Sequence, residues 1–472
     1  MKKVGFQRLA GLALAVMIAG APFAATAQDA SNNTTTAAAA SNTTAAPAAA
    51  APAAAAPAAT PAPKIDTGDT AWMLTSSVLV LMMTIPGLAL FYAGMVRKKN
   101  ILSVLAQSFG ATAVITVLWM IIGYSFAFTG SGKYFGDFKY FMLAPMGLNA
   151  TSSLAPTIPE SVYMMFQMTF AIITPALIAG ALADRMKYSA FLLFMAAWLL
   201  LVYCPIAHWV WGGGWLGAAG ALDYAGGTVV HLNAGTAGLI AALMLGKRKG
   251  LGQVDMAPHN VAYSMIGASL LWVGWFGFNA GSAVTSNVNA GMAMAATQIA
   301  TAAASLAWML AEWVIAKKPS VLGMVSGAVA GLVAITPASG FVNPTGALII
   351  GIAAGFVCYI SAVHVKKMIG YDDSLDCWGV HGVGGALGAI MTGMFAMKAI
   401  NPSGAPKGGW LTDGNIGQMK LQFMDVGATF FYCAIMTFLI LAVLKYTIGI
   451  RVSEEVEEEG LDINLHGEVV HG

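Results

Sequence analysis

The stretch Asp223-Tyr-Ala-Gly-Gly-Thr-Val-Val-His231 decides the fold, because its pattern returns 150 residues later as Asp373-Ser-Leu-Asp-Cys-Trp-Gly-Val-His381. In each stretch an acid stands eight residues before a histidine, and glycines follow at matching places: Gly235 and Gly238, then Gly385 and Gly388. Both histidines fall early in apolar runs long enough to cross a bilayer. An ionisable side chain costs several kcal/mol there unless it is paired or lines a cavity, so both histidines are candidate functional residues.

The composition places the chain in a membrane. Of its 472 residues, 58% are hydrophobic and 9% are charged, more apolar surface than a soluble fold hides. A net charge of +2, without a basic stripe, gives no indication of nucleic acid as a partner. The four cysteines lack metal-ligand spacing and are typical of helix packing, so we expect neither a metal nor another cofactor.

The two ends of the chain differ from the apolar middle. Residues 1–27 have the pattern of a cleaved signal peptide: a basic start, an apolar stretch and small residues at 25–27. Residues 28–66, rich in Ala, Pro and Thr, are expected to form a disordered tether on the exported side. Residues 67–449 then form the membrane domain, and residues 450–472 form an acidic cytoplasmic tail.

The apolar runs predict an all-α polytopic membrane protein with eleven transmembrane helices. Counted from an outside N-terminus, the inside segments hold 14 lysines and arginines and the outside segments hold six. This excess predicts an outside N-terminus and a cytoplasmic C-terminus. The predicted spans are about 70–95, 101–128, 159–183, 189–207, 225–246, 259–282, 290–316, 320–339, 345–366, 377–397 and 424–448.

The repeat predicts an inverted five-plus-five architecture. Phe91-Tyr-Ala-Gly94 closes span one and Phe278-Asn-Ala-Gly281 closes span six, so spans six to ten repeat spans one to five. Because five is odd, the second copy enters the membrane upside down. Eight helical residues carry each histidine roughly 12 Å inward, so the two imidazoles meet near the middle of a core of roughly 30 Å.

Paired imidazoles in an apolar passage favour transport over catalysis. They can share one proton and hydrogen-bond a small neutral molecule, and they bind a bare cation poorly. No nucleophile is spaced to work with them, so an enzyme is not expected. Asp223 leaves two alternatives open: a cap for the following helix, or a carboxylate that favours cations at the outer mouth.

Aromatic residues gather near the predicted outer mouth. Phe166 and Phe170 share a helical face, Trp211 follows span four, and Phe278 closes span six with Ser282 beyond it. Such a cluster either packs a core or holds a small cation by cation–π attraction, with the serine hydroxyl accepting a hydrogen bond. His208 and His364 lie at span ends and are expected at the membrane interface.

Four segments resemble the Amt/Rh ammonium transporters, specifically the bacterial Amt branch. They are Phe-Gln-Met-Thr-Phe-Ala-Ile-Ile-Thr-Pro (166–175), the first histidine stretch (223–231), Gly-Trp-Phe-Gly-Phe-Asn-Ala-Gly-Ser (274–282) and Gly-Val-His-Gly-Val (379–383). The resemblance runs in order from about residue 70 to 468. It implies an eleven-span homotrimer with a pore in each subunit.

The resemblance also implies roles for single residues. The outer ammonium site of the family corresponds here to Trp211, Phe166, Phe170 and Ser282, and the acid near that site corresponds to Asp223. Phe170 and Phe278 match a phenyl gate, His231 and His381 match twin pore histidines, and Thr336 matches a further pore-side position. In the tail, the matching regulatory positions are Gly449, Arg451, Gly460 and Asp462.

The predicted function is ammonium uptake through the inner membrane for nitrogen assimilation, with methylammonium as a related substrate. Aromatic rings recruit ammonium, a dry passage excludes ions by their desolvation cost, and ammonia and a proton travel separately. The resemblance implies that the tail contacts a PII-class nitrogen regulator; composition alone favours a solvated tail. The alternatives are a passive channel for ammonia or another neutral gas, and an ammonium sensor, disfavoured because little sequence follows the last span.

Overall fold

The computed structural model describes residues 64–470, and throughout these residues the regular structure is helical, apart from two isolated β-bridges. The predicted signal peptide and nearly all of the predicted tether lie outside the described residues. The first helix begins at Thr67, where the Asp66 side chain accepts a hydrogen bond from Asp69 N.

Within residues 64–470, nine helices are long and apolar enough to span a membrane. They are α1 (Thr67–Met95), α2 (Lys98–Phe128), α3 (Glu160–Leu182), α4 (Tyr188–Ala219, with a turn at 211–214), α5 (Gly227–Leu245), α6 (Val261–Gly281), α7 (Val288–Ala316), α9 (Pro344–Ile369) and α11 (Gly417–Thr447). Two shorter helices, α8 (Val321–Ile335) and α10 (378–395), fall at the remaining predicted spans. A short helix in the tail, α12, covers Glu454–Glu459.

Three predicted span limits differ clearly from the helix bounds. Helix α4 continues past the predicted limit of 207 to Ala219, with a turn at 211–214. Helix α11 begins seven residues earlier than predicted, because its polar Gln422 is buried and exchanges hydrogen bonds with the backbone of Leu222. Helix α8 ends at Ile335 instead of 339, since Pro337 cannot continue a helix and turns follow. Residues 321–335 are short for a crossing. The number of crossings therefore stays a prediction.

Helices α1 and α6 pack antiparallel along a seam of glycines. Gly94 lies against Asn260, where an added Cβ would stand 2.5 Å from the backbone oxygen, and Gly281 at the other end lies against Ser76. The two helices therefore run in opposite directions along this contact. Glycine allows this close approach because a side chain would meet backbone atoms.

Helices α5 and α10 form a second antiparallel pair, and they carry the two histidines. Gly385 lies against Gly227 and His231, while Gly235 lies against His381 at the opposite end of the contact. Both pairs join equivalent helices of the two halves in opposite directions, as an inverted repeat requires.

Each histidine lies in a widened helical turn. His231 belongs to a π-helical segment at Gly227–Leu232, and His381 belongs to another at Trp378–Gly382. Such π-turns are rare and frequently occur at functional sites. The two halves therefore share a local backbone feature, at the same place relative to the histidine, that the sequence pattern did not predict.

Candidate functional site: an aromatic cavity beside paired histidines

A cavity of about 280 Å³ lies between α3, the end of α4 and the end of α6. Four residues predicted for the outer site line it: Phe166, Phe170, Trp211 and Ser282. The other lining residues are Leu154, Tyr163, Gln167, Val210, Tyr224 and Val284. The walls are thus mainly aromatic rings from segments that are far apart in sequence.

The polar atoms of Trp211 and Ser282 are partly engaged. Trp211 Nε1 donates to the backbone oxygen of Asp223 at 2.8 Å, so the indole offers a ligand its ring and not its N–H. Ser282 Oγ donates to the backbone oxygen of Phe278 at 2.8 Å, which leaves the hydroxyl lone pairs free to accept. A ring and a hydroxyl acceptor suit a small hydrogen-bonding cation.

A continuous series of ring contacts leads from the cavity to the histidines. The ring centroids of Phe170 and Phe278 are 4.2 Å apart, and those of Phe278 and His231 are 5.9 Å apart. The His231 and His381 centroids are separated by 5.4 Å. All four side chains are buried, so closely packed rings and not open solvent separate the cavity from the imidazoles.

The two imidazoles are within hydrogen-bonding distance, with 3.3 Å between their Nδ1 atoms. A hydrogen bond between two neutral imidazoles needs one ring to donate and the other to accept, so the rings fix each other's tautomers. His231 Nε2 is buried and has no hydrogen-bond partner among the described residues. This orphan nitrogen can bond a small molecule that enters the apolar passage.

Thr336 forms a hydrogen bond with Trp275, which packs against the histidine pair. Its hydroxyl accepts from Trp275 Nε1 at 2.8 Å and donates to the Leu332 backbone oxygen at 2.7 Å. The Trp275 ring in turn stacks on His231, with centroids 5.2 Å apart. Both hydroxyl bonds are thus made within the protein, and the pore-side position of Thr336 stays a prediction.

Asp223 adopts the capping alternative. Its carboxylate accepts hydrogen bonds at 2.7–3.1 Å from the backbone N–H groups of Gly226, Gly227, Thr228 and Val229, and from the Thr228 hydroxyl. Five donors satisfy both oxygens, and Asp223 does not line the aromatic cavity. Asp223 thus caps α5 and holds Trp211 through its backbone oxygen, and it also lines a neighbouring pocket with Tyr224 and Ser282, so its role in substrate binding stays a prediction.

Asp373, the sequence equivalent of Asp223, has a different environment. Only one described donor reaches its carboxylate, the backbone N–H of Trp378 at 2.7 Å, and the buried Oδ1 has no partner. Burial, together with the charge of Asp376, raises the pKa of Asp373 to about 6. The inner acid is thus poorly stabilised as an anion.

Six cavity residues were missed by the sequence analysis, and three of them carry a polar group: Tyr163, Gln167 and Tyr224. Tyr163 and Gln167 lie on the same face of α3 as Phe166 and Phe170, so helical spacing could have found them. Tyr224 follows Asp223 directly, and nothing in the sequence separates it from a loop residue. His208 is buried, with its ring nitrogens 3.0 Å from the backbone oxygen of Ala127 and 2.7 Å from that of Gly132, and its depth in the membrane stays a prediction.

The tail is docked on the inner ends of the helices. Arg451 donates to the backbone oxygens of Leu245 and Lys247 and to the buried carboxylate of Glu457. Asp462 accepts from Leu102 N at 3.0 Å and Ser103 N at 2.7 Å, so it caps the first full turn of α2.

The tail glycines occupy backbone conformations that favour glycine. Gly449, just after α11, has a φ of 72°, and Gly460, which packs against Lys99, has a φ of 126°. The four predicted tail residues thus belong to a packed segment, unlike the solvated tail that composition alone favours.

Fold and site together define a multi-pass membrane protein in which an aromatic cavity communicates, through stacked rings, with two facing imidazoles. The Ammonium Transporter Family model matches residues 71–471, and the chain belongs to this family. It is accordingly a membrane transport protein and not an enzyme.

Known relatives agree with this assignment. The ammonium transporter of Aquifex aeolicus (strain VF5) is 51% identical over 408 residues, covering 86% of this chain and 93% of the relative. That of Bacillus subtilis (strain 168) is 48% identical over 401 residues, covering 85% and 98%. The crystal structure of Candida albicans Mep2 superposes with a TM-score of 0.78 at 37% identity, covering 83% of this chain and 87% of that one.

Proposed function

We propose that this protein carries ammonium across the inner membrane, from the outer aromatic cavity to the cytoplasm. Ammonium binds among Phe166, Phe170, Trp211 and Ser282 and gives up a proton. Ammonia then passes the Phe170–Phe278 gate and the twin histidines, and the proton crosses separately. The observation that carries this proposal is the unbroken series of buried rings between the cavity and a bonded histidine pair.

Selectivity follows from the chemistry of the cavity and of the dry passage. Ammonium and potassium are both attracted by aromatic rings, but only ammonium can lose a proton and continue as a neutral molecule. An ion entering the apolar passage loses its hydration without compensation, which costs far more than the transfer of a neutral molecule. The orphan His231 Nε2 can replace one hydrogen bond that ammonia leaves behind in water.

The test is the ammonium-evoked current in proteoliposomes, compared between the parent and the His231→Ala and His381→Ala variants. We expect a current in the parent and its loss, or a changed selectivity against potassium, in both variants. His364→Ala is the matched control, because His364 packs edge-on against Tyr359 and takes no part in the ring series. Parent-like current and selectivity in both variants would show that the histidines carry neither ammonia nor the proton.

The same measurement separates transport from a passive ammonia channel. A pore that conducts only neutral ammonia produces no current, although ammonia influx still changes the internal pH of the liposomes. We expect a current in the parent with little rise in internal pH, because the proton that crosses with each ammonia restores ammonium inside. A pH change without current would replace the transporter proposal with the passive channel.

We further propose that the protein is a homotrimer with its N-terminus outside, and that a PII-class regulator binds its docked tail. The Arg451–Glu457 pair supports the tail assignment, since Glu457 is fully buried and Arg451 joins it to the inner helix ends. Arg451→Gln should free the tail, giving faster cleavage by a glutamate-specific protease and weaker co-purification of the PII-class protein.

The control for the tail is Lys249→Gln, which removes an ion pair between exposed Lys249 and Glu454. Exposed pairs contribute little to stability, so cleavage and co-purification should match the parent. Equal behaviour of the two variants would contradict docking through Arg451. Mass determination of the native complex in detergent tests the trimer.

A further inference from the structure

A second buried carboxylate, Asp425, lies behind the outer cavity and has no part in the pathway proposed above. It lies on α11 and is fully buried, and the ion pairs found in residues 64–470 all involve other carboxylates. Its hydrogen-bonding neighbours are two hydroxyls: Thr228 Oγ1, 3.0 Å from Oδ2, and Thr429 Oγ1, 3.5 Å from Oδ1. A buried acid with so few partners requires an explanation.

The Thr228 hydroxyl links Asp425 to Asp223. Its oxygen lies 2.7 Å from Asp223 Oδ2 and 3.0 Å from Asp425 Oδ2. A hydroxyl has one hydrogen, so it can donate to only one of the two carboxylates. The contact with the other carboxylate is a hydrogen bond only if that carboxylate carries a hydrogen of its own.

The hydrogen belongs on Asp425. Asp223 accepts four backbone N–H bonds, at distances of 2.7–3.1 Å, which stabilise its ionised form. Asp425 receives no backbone donor among the described residues and is shielded from solvent. An ionised carboxylate without such partners is strongly disfavoured in an apolar interior.

We propose that Asp425 is a neutral carboxylic acid at neutral pH, which donates its hydrogen to Thr228, and that Thr228 donates to Asp223. The three side chains form a directed hydrogen-bond chain with a single negative charge, located on Asp223. Asp425 is thus a positioning residue: through Thr228 it orients the carboxylate that caps α5, which carries His231. The backbone oxygen of the same Asp223 holds the Trp211 indole in the cavity wall.

Two substitutions that keep a side chain branched at Cγ separate the hydrogen-bond donor from the charge. Asp425→Asn places an amide there, which can donate an N–H to Thr228 but cannot ionise, and Asp425→Leu offers no donor. Thr429→Val is the matched control, because it removes the other hydroxyl neighbour and leaves the link through Thr228 intact.

The protonation state is tested by infrared difference spectroscopy of the full-length protein in liposomes at pH 7. We expect a carbonyl band of a protonated carboxyl group in the parent and in Thr429→Val, shifted in D₂O and missing from Asp425→Asn. Identical carbonyl regions in the parent and Asp425→Asn would mean that Asp425 is ionised, and the proposal would be overturned. This measurement does not depend on transport, so its outcome is separate from that of the proposed function.

The positioning role is tested by the ammonium-evoked current of variants that elute like the parent in size-exclusion chromatography. Asp425→Asn should conduct nearly as well as the parent, and Asp425→Leu roughly tenfold less, the order expected when a buried hydroxyl loses a partner. Parent-like currents in both variants would reduce Asp425 to a packing residue. Loss of current in both variants would show that the charge is required and would overturn the neutral acid.

Discussion

At the outer cavity, most polar groups that could compete with the rings for a cation are already engaged. The Trp211 N–H donates to a backbone oxygen, the Ser282 hydrogen is used by Phe278, and five donors surround the Asp223 carboxylate. Ring faces, the lone pairs of Ser282 and the unpartnered amide oxygen of Gln167 remain for a ligand. Recruitment at this site therefore rests on cation–π attraction more than on a formal charge.

Removal of the Trp211 indole should weaken recruitment. Cation–π contacts contribute about 0.5–2 kcal/mol, so Trp211→Leu should raise the ammonium concentration for half-maximal current by roughly two- to thirtyfold. Trp209→Leu is the control: Trp209 also donates its N–H to a backbone oxygen, that of Tyr134, but it does not line the cavity. If both variants shifted the half-maximal concentration equally, the indole of Trp211 would have no special part in binding.

The acid at the inner end should make stability depend on pH. The pKa of Asp373 is about 6 in the folded protein, raised by burial above the ordinary value of 3.8. The folded state therefore binds this proton more tightly than the unfolded state, and the destabilising effect of the anion grows from pH 3.8 to 6 and is complete above pH 6. Asp373→Asn should be more stable than the parent at pH 8, by at most about 3 kcal/mol.

The measurement is the melting temperature of the purified protein between pH 4 and 8. The advantage of Asp373→Asn should shrink as the pH falls below 6, since the parent then becomes neutral at this position. Asp255→Asn, on an exposed loop, should melt like the parent at every pH. If the higher melting temperature of Asp373→Asn did not change with pH, the charge of Asp373 would not be the cause of the difference.

At the scale of helices, close packing across the repeat determines where the histidines meet. Gly235 and Gly385 each follow a histidine by four residues, and each lies against the other half's histidine segment. The matching glycines in the sequence are therefore explained by contact between the two halves, and not only by packing within each half. A side chain at either position would separate α5 from α10.

Gly385→Ala tests this contact. The added Cβ would stand 2.5 Å from Gly227 O and 3.1 Å from His231 Cβ, so the helices must move apart, at a cost of about 1–3 kcal/mol. We expect a lower melting temperature and a reduced ammonium-evoked current. Gly427→Ala on α11 is the control, since nothing lies within 4 Å of its added Cβ and alanine favours helix. Parent-like stability and current in Gly385→Ala would contradict the proposed constraint.

Helix positions were largely predictable, because the length of each apolar run can be read from the sequence. Features that depend on packing between helices could not be predicted in this way. The π-turns at His231 and His381 form where two helices meet, and no local signal marks them. The equivalence of Asp223 and Asp373 was misleading, because Gly226 and Gly227 present backbone donors to Asp223 whereas Asp376 and Cys377 stand at the same places after Asp373. The contact between Thr228 and Asp425 joins positions 197 residues apart, beyond any spacing rule.

In the whole molecule, two antiparallel helix pairs join the halves, and α11 with the tail lies outside the repeat. Large apolar side chains remain exposed on the outer helices, such as Phe109 on α2, Trp313 on α7 and Phe431 on α11. Lipid or other subunits must cover such surfaces in the membrane. An odd number of crossings places the tail, with its Arg451 and Asp462 contacts, on the cytoplasmic side if the N-terminus is outside.

Labelling with a membrane-impermeant thiol reagent tests both the orientation and the number of crossings. The four native cysteines are buried, so background labelling should be low, and Ser131→Cys, Gln253→Cys and Val469→Cys introduce thiols at exposed positions. Three predicted spans separate residue 131 from 253, and nine separate it from 469. We expect residue 131 to react in intact cells and the other two only after permeabilisation, because an odd number of crossings changes the side. If residue 469 reacted in intact cells while 253 did not, one of the shorter helices, α8 or α10, would fail to cross, and the inverted repeat could not bring His381 from the cytoplasmic face.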